Sequence, residues 1–332
     1  PEPGPIIDYW PTRFLLFWTL ALNFFLAGAK PFGYHLFNIL IHLFSSFLVY
    51  LIFFRLRKTP LDSSTALPAV RRAALLAALI FLAHPLQTQA VTYVIQRGAS
   101  LSAFLVLVSI YLYIRWRRES RIIFFSAAWL AGLAGVFTKE GAIVLPLLLF
   151  LWEGFFGPDR NWKNKIAPAL PFVLVPIILA VVALLTARIS DMGLFYSLNL
   201  SQGGDSVAML PGRIPVRGRW EYFLTQISVI CTYIRLCFLP LRQSLVYDYP
   251  ISVSLFSPPT LIRGLFLVTL IIGSAAFVRS RRIILFSILF FFISLLPTSS
   301  FIILVPVIAE HHCYLALAGF AWGMAYWVGR IF

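Results

Sequence analysis

The chain has 332 residues, 60% of them hydrophobic and only 12% charged, and its mean hydropathy is +0.89. That balance leaves too little polar surface to cover a soluble core, which excludes an ordinary soluble domain. A formal charge of +15 would point to nucleic acid in a soluble protein, but these cations sit in short clusters between apolar runs, so no nucleic-acid partner is expected.

Apolar runs long enough to span a bilayer fall at about 14–29, 34–54, 73–90, 99–114, 122–138, 141–156, 167–187, 259–278, 283–300 and 313–329. Basic clusters follow every second run. They are Arg55/Arg57/Lys58 with Arg71/Arg72, Arg115/Arg117/Arg118/Arg121, Arg160/Lys163/Lys165, Arg279/Arg281/Arg282, and Arg330, together 16 of the 27 Lys and Arg. This alternation places the basic side in the cytoplasm. The register holds if the segment 188–258 returns to the side it left and if the first run lies in the interface or stands apart. The expected fold class is an all-α, polytopic transmembrane helical bundle of about nine spans plus interfacial helices. It forms a single domain over 1–332.

The other connections, 84–98, 138–141, 188–258 and 298–312, then face outward and hold most of the reactive side chains. Four acids, Asp62, Glu119, Glu153 and Asp159, lie near the basic clusters. Asp8, Glu140, Asp191, Asp205, Glu221, Asp248 and Glu310 fall on the outer side, and so do the five histidines. The segment 188–258 is too long for a bare turn. Within it, 220–246 is apolar but broken by Arg235 and Pro240, the pattern of an interfacial or re-entrant helix. The chain opens Pro1-Glu2-Pro3-Gly4 with no signal peptide, and it is expected to be a fragment.

Four constellations could carry chemistry. In the stretch His84 to Arg97, Gln89, Tyr93 and Gln96 or Arg97 share one helix face, a polar stripe that lines a cavity or marks an interface. In Thr138-Lys139-Glu140-Gly141, two charges occupy a tight turn, where the lysine could hold a phosphate or simply pair with its neighbour. In Glu310-His311-His312-Cys313-Tyr314, adjacent histidines diverge by about 100° on a helix and cannot easily share one metal ion, so phosphate or sugar contacts suit them better. His35, Asn38 and His42 form one stripe suited to interhelical hydrogen bonds. Cys231, Cys237 and Cys313 show no metal or disulfide spacing.

Stretches from Thr12-Arg13 to Asn23-Phe24, Pro31 to Asn38 with His42, His84-Pro85 to Arg97, Thr138-Lys139-Glu140, and Leu296-Pro297-Thr298-Ser299 to Glu310-His311-His312-Cys313-Tyr314-Leu315 occur in the order seen in a known family. Arg235-Leu236 and Tyr247 to Ile251 fit as well. The chain resembles the multi-pass GT-C glycosyltransferases similar to protein O-mannosyltransferases. The likeness is greatest to the branch whose membrane part is followed by C-terminal tetratricopeptide repeats.

The resemblance implies a polyprenyl-phosphate sugar donor and a protein or glycan acceptor. The active face would be periplasmic or lumenal, in a bacterial inner membrane or the ER membrane. It implies that Lys139, Arg97 and His312 hold the lipid phosphate. Arg13, His35, His84, Gln89, Tyr93, Glu140, Glu310 and Tyr314 would line the substrate cavity. The catalytic acidic pair is expected upstream of Pro1, with the first span and part of the first outer loop. The family usually has Glu at the position of Gln89. No cofactor is evident, although a divalent metal is compatible with the family. The resemblance makes the first run an interfacial helix. A transporter or lipid flippase, and a non-catalytic scaffold of the same fold, are the alternative functions.

Overall fold

The computed structural model describes residues 11–57, 67–159, 161–186, 218–276, 282–300, 304 and 306–331. Its long helices are α1 (Phe14–Ala27), α2 (Pro31–Arg57), α3 (Leu67–Ala83), α4 (Arg97–Glu119), α5 (Ile122–Val136) and α6 (Leu145–Phe156). They continue with α7 (Leu174–Thr186), α8 (Arg219–Phe238), α9 (Pro258–Ala276), α10 (Arg282–Leu295) and α11 (Ala316–Ile331). Among the described residues there is no strand, so the all-α expectation is met. The expected residues Asp8, Asp62, Asp191 and Asp205, the cations Lys58, Arg160, Arg279 and Arg281, and the stretch 188–217 lie outside the described residues.

Among the described residues two helices are long and apolar enough to cross a membrane, Pro31–Leu56 and Val94–Glu119, each of 26 residues. At about 1.5 Å per residue either exceeds the roughly 30 Å of a hydrocarbon core. A third candidate is α3 taken together with Pro85–Thr92, which bends by 51° at the junction. Pro85 causes that break. It lacks an N–H, and it pushes His84 into an extended conformation, ψ 127°. Five further apolar helices are shorter: Phe14–Ala27, Ile122–Val136, Ala167–Val182, Pro258–Ser274 and Arg282–Leu295.

The outside of the bundle is apolar. On α2, Leu36, Leu40, Leu43, Phe44 and Phe47 form a continuous exposed row at helical spacing, and Leu75, Leu79, Leu130, Leu265 and Phe266 extend such surfaces onto other helices. Faces of this kind are stable against hydrocarbon and not against water. The chain is a membrane protein.

Inside, small residues let helices approach closely. Ala74 and Ala77 on α3 and Ala318, Ala321 and Ala325 on α11 are wholly buried. A Cβ added at Gly319 would lie 2.6 Å from the Ser287 backbone oxygen of α10. Trp322 fills the seam, and its Nε1 donates to the Val49 carbonyl of α2 at 3.0 Å. α8 buries Tyr233 and Leu236 in the same core and packs along α9.

The bundle has two chemically different ends. At one, Arg118 Nη2 donates to the Arg55 carbonyl at 2.6 Å, and Arg115 forks onto Glu119 at 2.8 and 2.8 Å. Beside them Arg117 reaches Glu153 at 2.5 Å and Asp159 at 2.7 Å, while Tyr113 donates to Glu153 at 2.6 Å. Of the acids expected near the basic clusters, Glu119, Glu153 and Asp159 are therefore paired with them. The other end holds the remaining polar constellations.

Candidate functional site

α4 begins at Arg97, beside the turn that ends α5, and Pro297–Thr298 and His311–Leu315 lie at the same end. Three sequence segments converge there. Ala99, Ser102, Ala103 and Val106 of α4, the turn with Lys139, Gly141 and Ala142, and the set Ser294, Pro297, Thr298, His311, His312, Tyr314 and Leu315 enclose a cavity of about 50 Å³. That volume has room for a few waters, so it suits a phosphate-sized group and not a whole sugar phosphate. Two constellations that are about 170 residues apart in the chain, Lys139 and His311-His312, meet on its wall.

Lys139 has a firmly held backbone. Its N–H donates to the Gly135 carbonyl at 3.1 Å, and its carbonyl accepts from Ala142 N at 3.2 Å and Ser102 Oγ at 3.3 Å. Its side chain runs past Gly98, where an added Cβ would sit 3.8 Å from Cδ. Its ammonium makes no hydrogen bond among the described residues. Burial pulls the Lys139 pKa down to about 8, against the upward pull of Glu140. Glu140 answers to Arg13 instead. Arg13 Nη2 donates to Oε1 at 2.7 Å and Nε to Oε2 at 3.2 Å, a two-pronged pair. Burial would raise the Glu140 carboxyl, but Arg13 and Lys139 outweigh it and hold the pKa below the usual range.

His311 is fixed by Gln89. Its backbone N–H donates to Gln89 Oε1 at 2.9 Å, and Nδ1 lies 3.0 Å from the same oxygen. Nδ1 must then carry the proton, which leaves Nε2 as an acceptor. His312 stacks edge-on against His311 with centroids 4.6 Å apart, and its Nδ1 lies 3.4 Å from the Tyr233 hydroxyl. Burial, with Lys139 adding to it, lowers the pKa of His312 to about 3 and that of His311 further. Both rings are neutral at physiological pH. Ser294 Oγ is buried on the cavity wall with no hydrogen-bond partner among the described residues.

The other expected residues are distributed as follows. Tyr314 lines the cavity and donates from its hydroxyl to His42 Nδ1 at 2.9 Å, while His42 Nε2 donates to the Leu82 carbonyl at 3.0 Å. Glu310 points away and takes three donors, Gln243 Nε2 at 2.8 Å, Ser244 N at 2.9 Å and the Tyr247 hydroxyl, so it straps the 243–247 segment down. His84 donates from Nε2 to the Cys237 carbonyl at 2.9 Å and accepts from Leu86 N at Nδ1, tying α3 to α8. Tyr93 is exposed, and His35 makes no hydrogen bond among the described residues. Of the stripe His35, Asn38 and His42, the latter two make the interhelical bonds expected of it.

Arg97 departs from expectation. It is fully buried, with Nε on Asn38 Oδ1 at 2.8 Å, Nη1 on the Thr19 carbonyl at 3.2 Å and Nη2 on the Tyr34 carbonyl at 3.2 Å. The guanidinium also lies 4.6 Å from the Phe37 ring centroid. Its three hydrogen bonds go to α1 and α2, and it does not line the Lys139 cavity. Sequence reasoning had not singled out Ser294 or Ser102, since serines in apolar runs are commonplace and only their placement beside Lys139 marks them. The described residues bring together no group of three His, Cys, Asp or Glu side chains with metal-binding geometry.

A stretch of 140 residues, 41% of this chain, is 31% identical to protein O-mannosyl-transferase TMTC3 of Homo sapiens and covers 14% of that protein. The chain is similar to protein O-mannosyl-transferases. Tmtc1 of Drosophila melanogaster is 28% identical over 155 residues, 45% of this chain and 16% of its own. TMTC4 of Homo sapiens is 36% identical over 107 residues, 31% of this chain and 14% of its own. The chain thus spans only a small part of the length of these O-mannosyl-transferases. No protein-family model matches the chain, and no solved structure matches it.

Proposed function

We propose that this chain is the membrane part of a GT-C-type glycosyltransferase. It would move a sugar, mannose by likeness to its relatives, from a polyprenyl-phosphate donor to a hydroxyl of a protein or glycan. The observation that carries this reading is the cavity at the end remote from the arginine clusters, where a lysine ammonium without a hydrogen-bond partner among the described residues faces neutral histidines. In such transfer the phosphate leaves, and a fixed cation beside it stabilises the charge that develops. Lys139 supplies that cation. His312 and the Nε2 of His311 serve as neutral hydrogen-bonding groups, and Tyr314 and Ser294 complete the wall. Arg97 is the clasp that holds α1 and α2 against α4, outside the phosphate contacts.

In this reading the basic end faces the cytoplasm and the cavity opens on the periplasmic or lumenal side. With α1 at the interface, α5, α6, α7, α9, α10 and α11 join the three candidate spans to complete about nine. The test is sugar transfer by the full protein carrying this chain, with a polyprenyl-phosphate mannose and a serine/threonine peptide. Lys139→Ala is expected to lower kcat by about 10²–10³-fold, as loss of a transition-state charge contact does. Transfer at the unsubstituted rate by Lys139→Ala would remove the assignment, and absence of transfer by the unsubstituted protein would remove the activity.

A further inference from the structure

Lys139 and Glu140 are neighbours in sequence and feel each other's charge, yet the Glu140 carboxylate makes its side-chain hydrogen bonds to Arg13. Both Glu140 oxygens are taken by Arg13, one by Nη2 and one by Nε. Glu140 is absent from the cavity wall, whereas Lys139 and its other neighbour in the turn, Gly141, are on it. Arg13 is delivered by a backbone contact: Leu15 N–H donates to the Phe137 carbonyl at 3.0 Å, which seats the start of α1 on the 137–140 turn. The local count is two cations and one carboxylate. The carboxylate is claimed on the α1 side, so the surplus positive charge is left on the cavity side. Among the described residues lining the cavity, Lys139 is the one with a formal charge, given neutral histidines.

We infer that Arg13 is a positioning residue that holds Glu140 away from Lys139, keeping the ammonium available to an anionic phosphate entering the cavity. Arginine is suited to this task because its planar fork matches both carboxylate oxygens and it stays protonated at any working pH. Without it, the Glu140 carboxylate lies one residue from an ammonium with no other hydrogen-bond partner among the described residues. In a site shielded from water, a charge pair a few ångströms apart forms strongly. The anion would then have to compete with a tethered counter-ion.

This inference rests on the phosphate-binding reading of Lys139 given above, and one set of variants separates the two. The probe is dodecyl phosphate, titrated by calorimetry into the full protein in a neutral detergent. Lys139→Ala is expected to abolish the binding, and Arg13→Ala to weaken it by about tenfold or more. Arg13→Lys is expected to retain most of it. Glu140→Gln should tighten it by removing a nearby negative charge. The double variant Arg13→Ala/Glu140→Gln should recover binding to within about threefold of the unsubstituted protein, although it lacks the same α1 contact as the single variant. A merely structural role for Arg13, or direct contact between Arg13 and the phosphate, predicts no such recovery. A double variant as weak as Arg13→Ala, or an Arg13→Ala protein that binds normally, overturns the inference alone. Normal binding by Lys139→Ala overturns the reading of the site and this inference with it.

Discussion

Arg97 and Lys139 carry the same charge, stand near the same end of the bundle and have opposite situations. Arg97 has three protein acceptors and no exposure, whereas the Lys139 ammonium has no hydrogen bond among the described residues. Replacing Arg97 therefore removes a link between α1, α2 and α4 and strands the Asn38 side chain. Arg97→Ala is expected to cost about 1–3 kcal/mol of stability or more, the range for leaving a buried acceptor unsatisfied. The check is a lower thermal midpoint of the detergent-solubilised protein. A drop in donor affinity with unchanged stability would instead put Arg97 in the phosphate contacts. Both cations were visible in the sequence as candidates, but their difference was not. The acceptors of Arg97 come from residues 59 to 78 positions earlier, and only the packing of α1 and α2 brings them within reach. Gln89 was more legible: a polar side chain on the inward stripe near His84 had to find a partner, and it found both donors of His311.

Among the elements, the seam between α10 and α11 is the tightest. Gly319 lies against the Ser287 carbonyl and the Phe291 amide, so a methyl group there would meet backbone at 2.6 and 3.0 Å, and backbone does not swing aside as a side chain can. Gly319→Ala should push the helices apart and cost about 1–3 kcal/mol. Gly141→Ala, where an added Cβ meets nothing within 4 Å, is the matched control. Differential scanning fluorimetry of the two variants should show a lowered midpoint for the first only. Helix identity was readable from apolar runs, but helix length was less so. The run at 141–156 begins as a 3₁₀ turn, Glu140–Val144, before α6, and the run at 167–187 begins as another, Ala167–Val173, with Pro171 inside it. Hydrophobicity marks where a chain prefers hydrocarbon, while proline and glycine decide where the regular helix starts, so the runs overestimate continuous helices.

At the scale of the whole molecule, charge is sorted along the bundle axis. α4 carries Arg97 at its first residue and Arg115, Arg117 and Arg118 near its last, about 34 Å of helix in all. Ion pairs with Glu119, Glu153 and Asp159 gather the arginines at one end, and the cavity occupies the other. Cysteines placed at Arg121, which is exposed beyond α4, and at Gly141 should therefore react with a membrane-impermeant maleimide from opposite sides of sealed vesicles. The half-buried Cys231 is first changed to serine to clear the background. Labelling of both positions from one side would refute the axial sorting. At the cavity end, Glu310 has a mechanical consequence. Its carboxylate grips Gln243, Ser244 and Tyr247, and the next two residues along the backbone are cavity-wall histidines. The strap and the wall are thus one crank. Any bulky molecule that lifts the 243–247 segment must either break three hydrogen bonds on a single carboxylate or turn His311 and His312 as it rises.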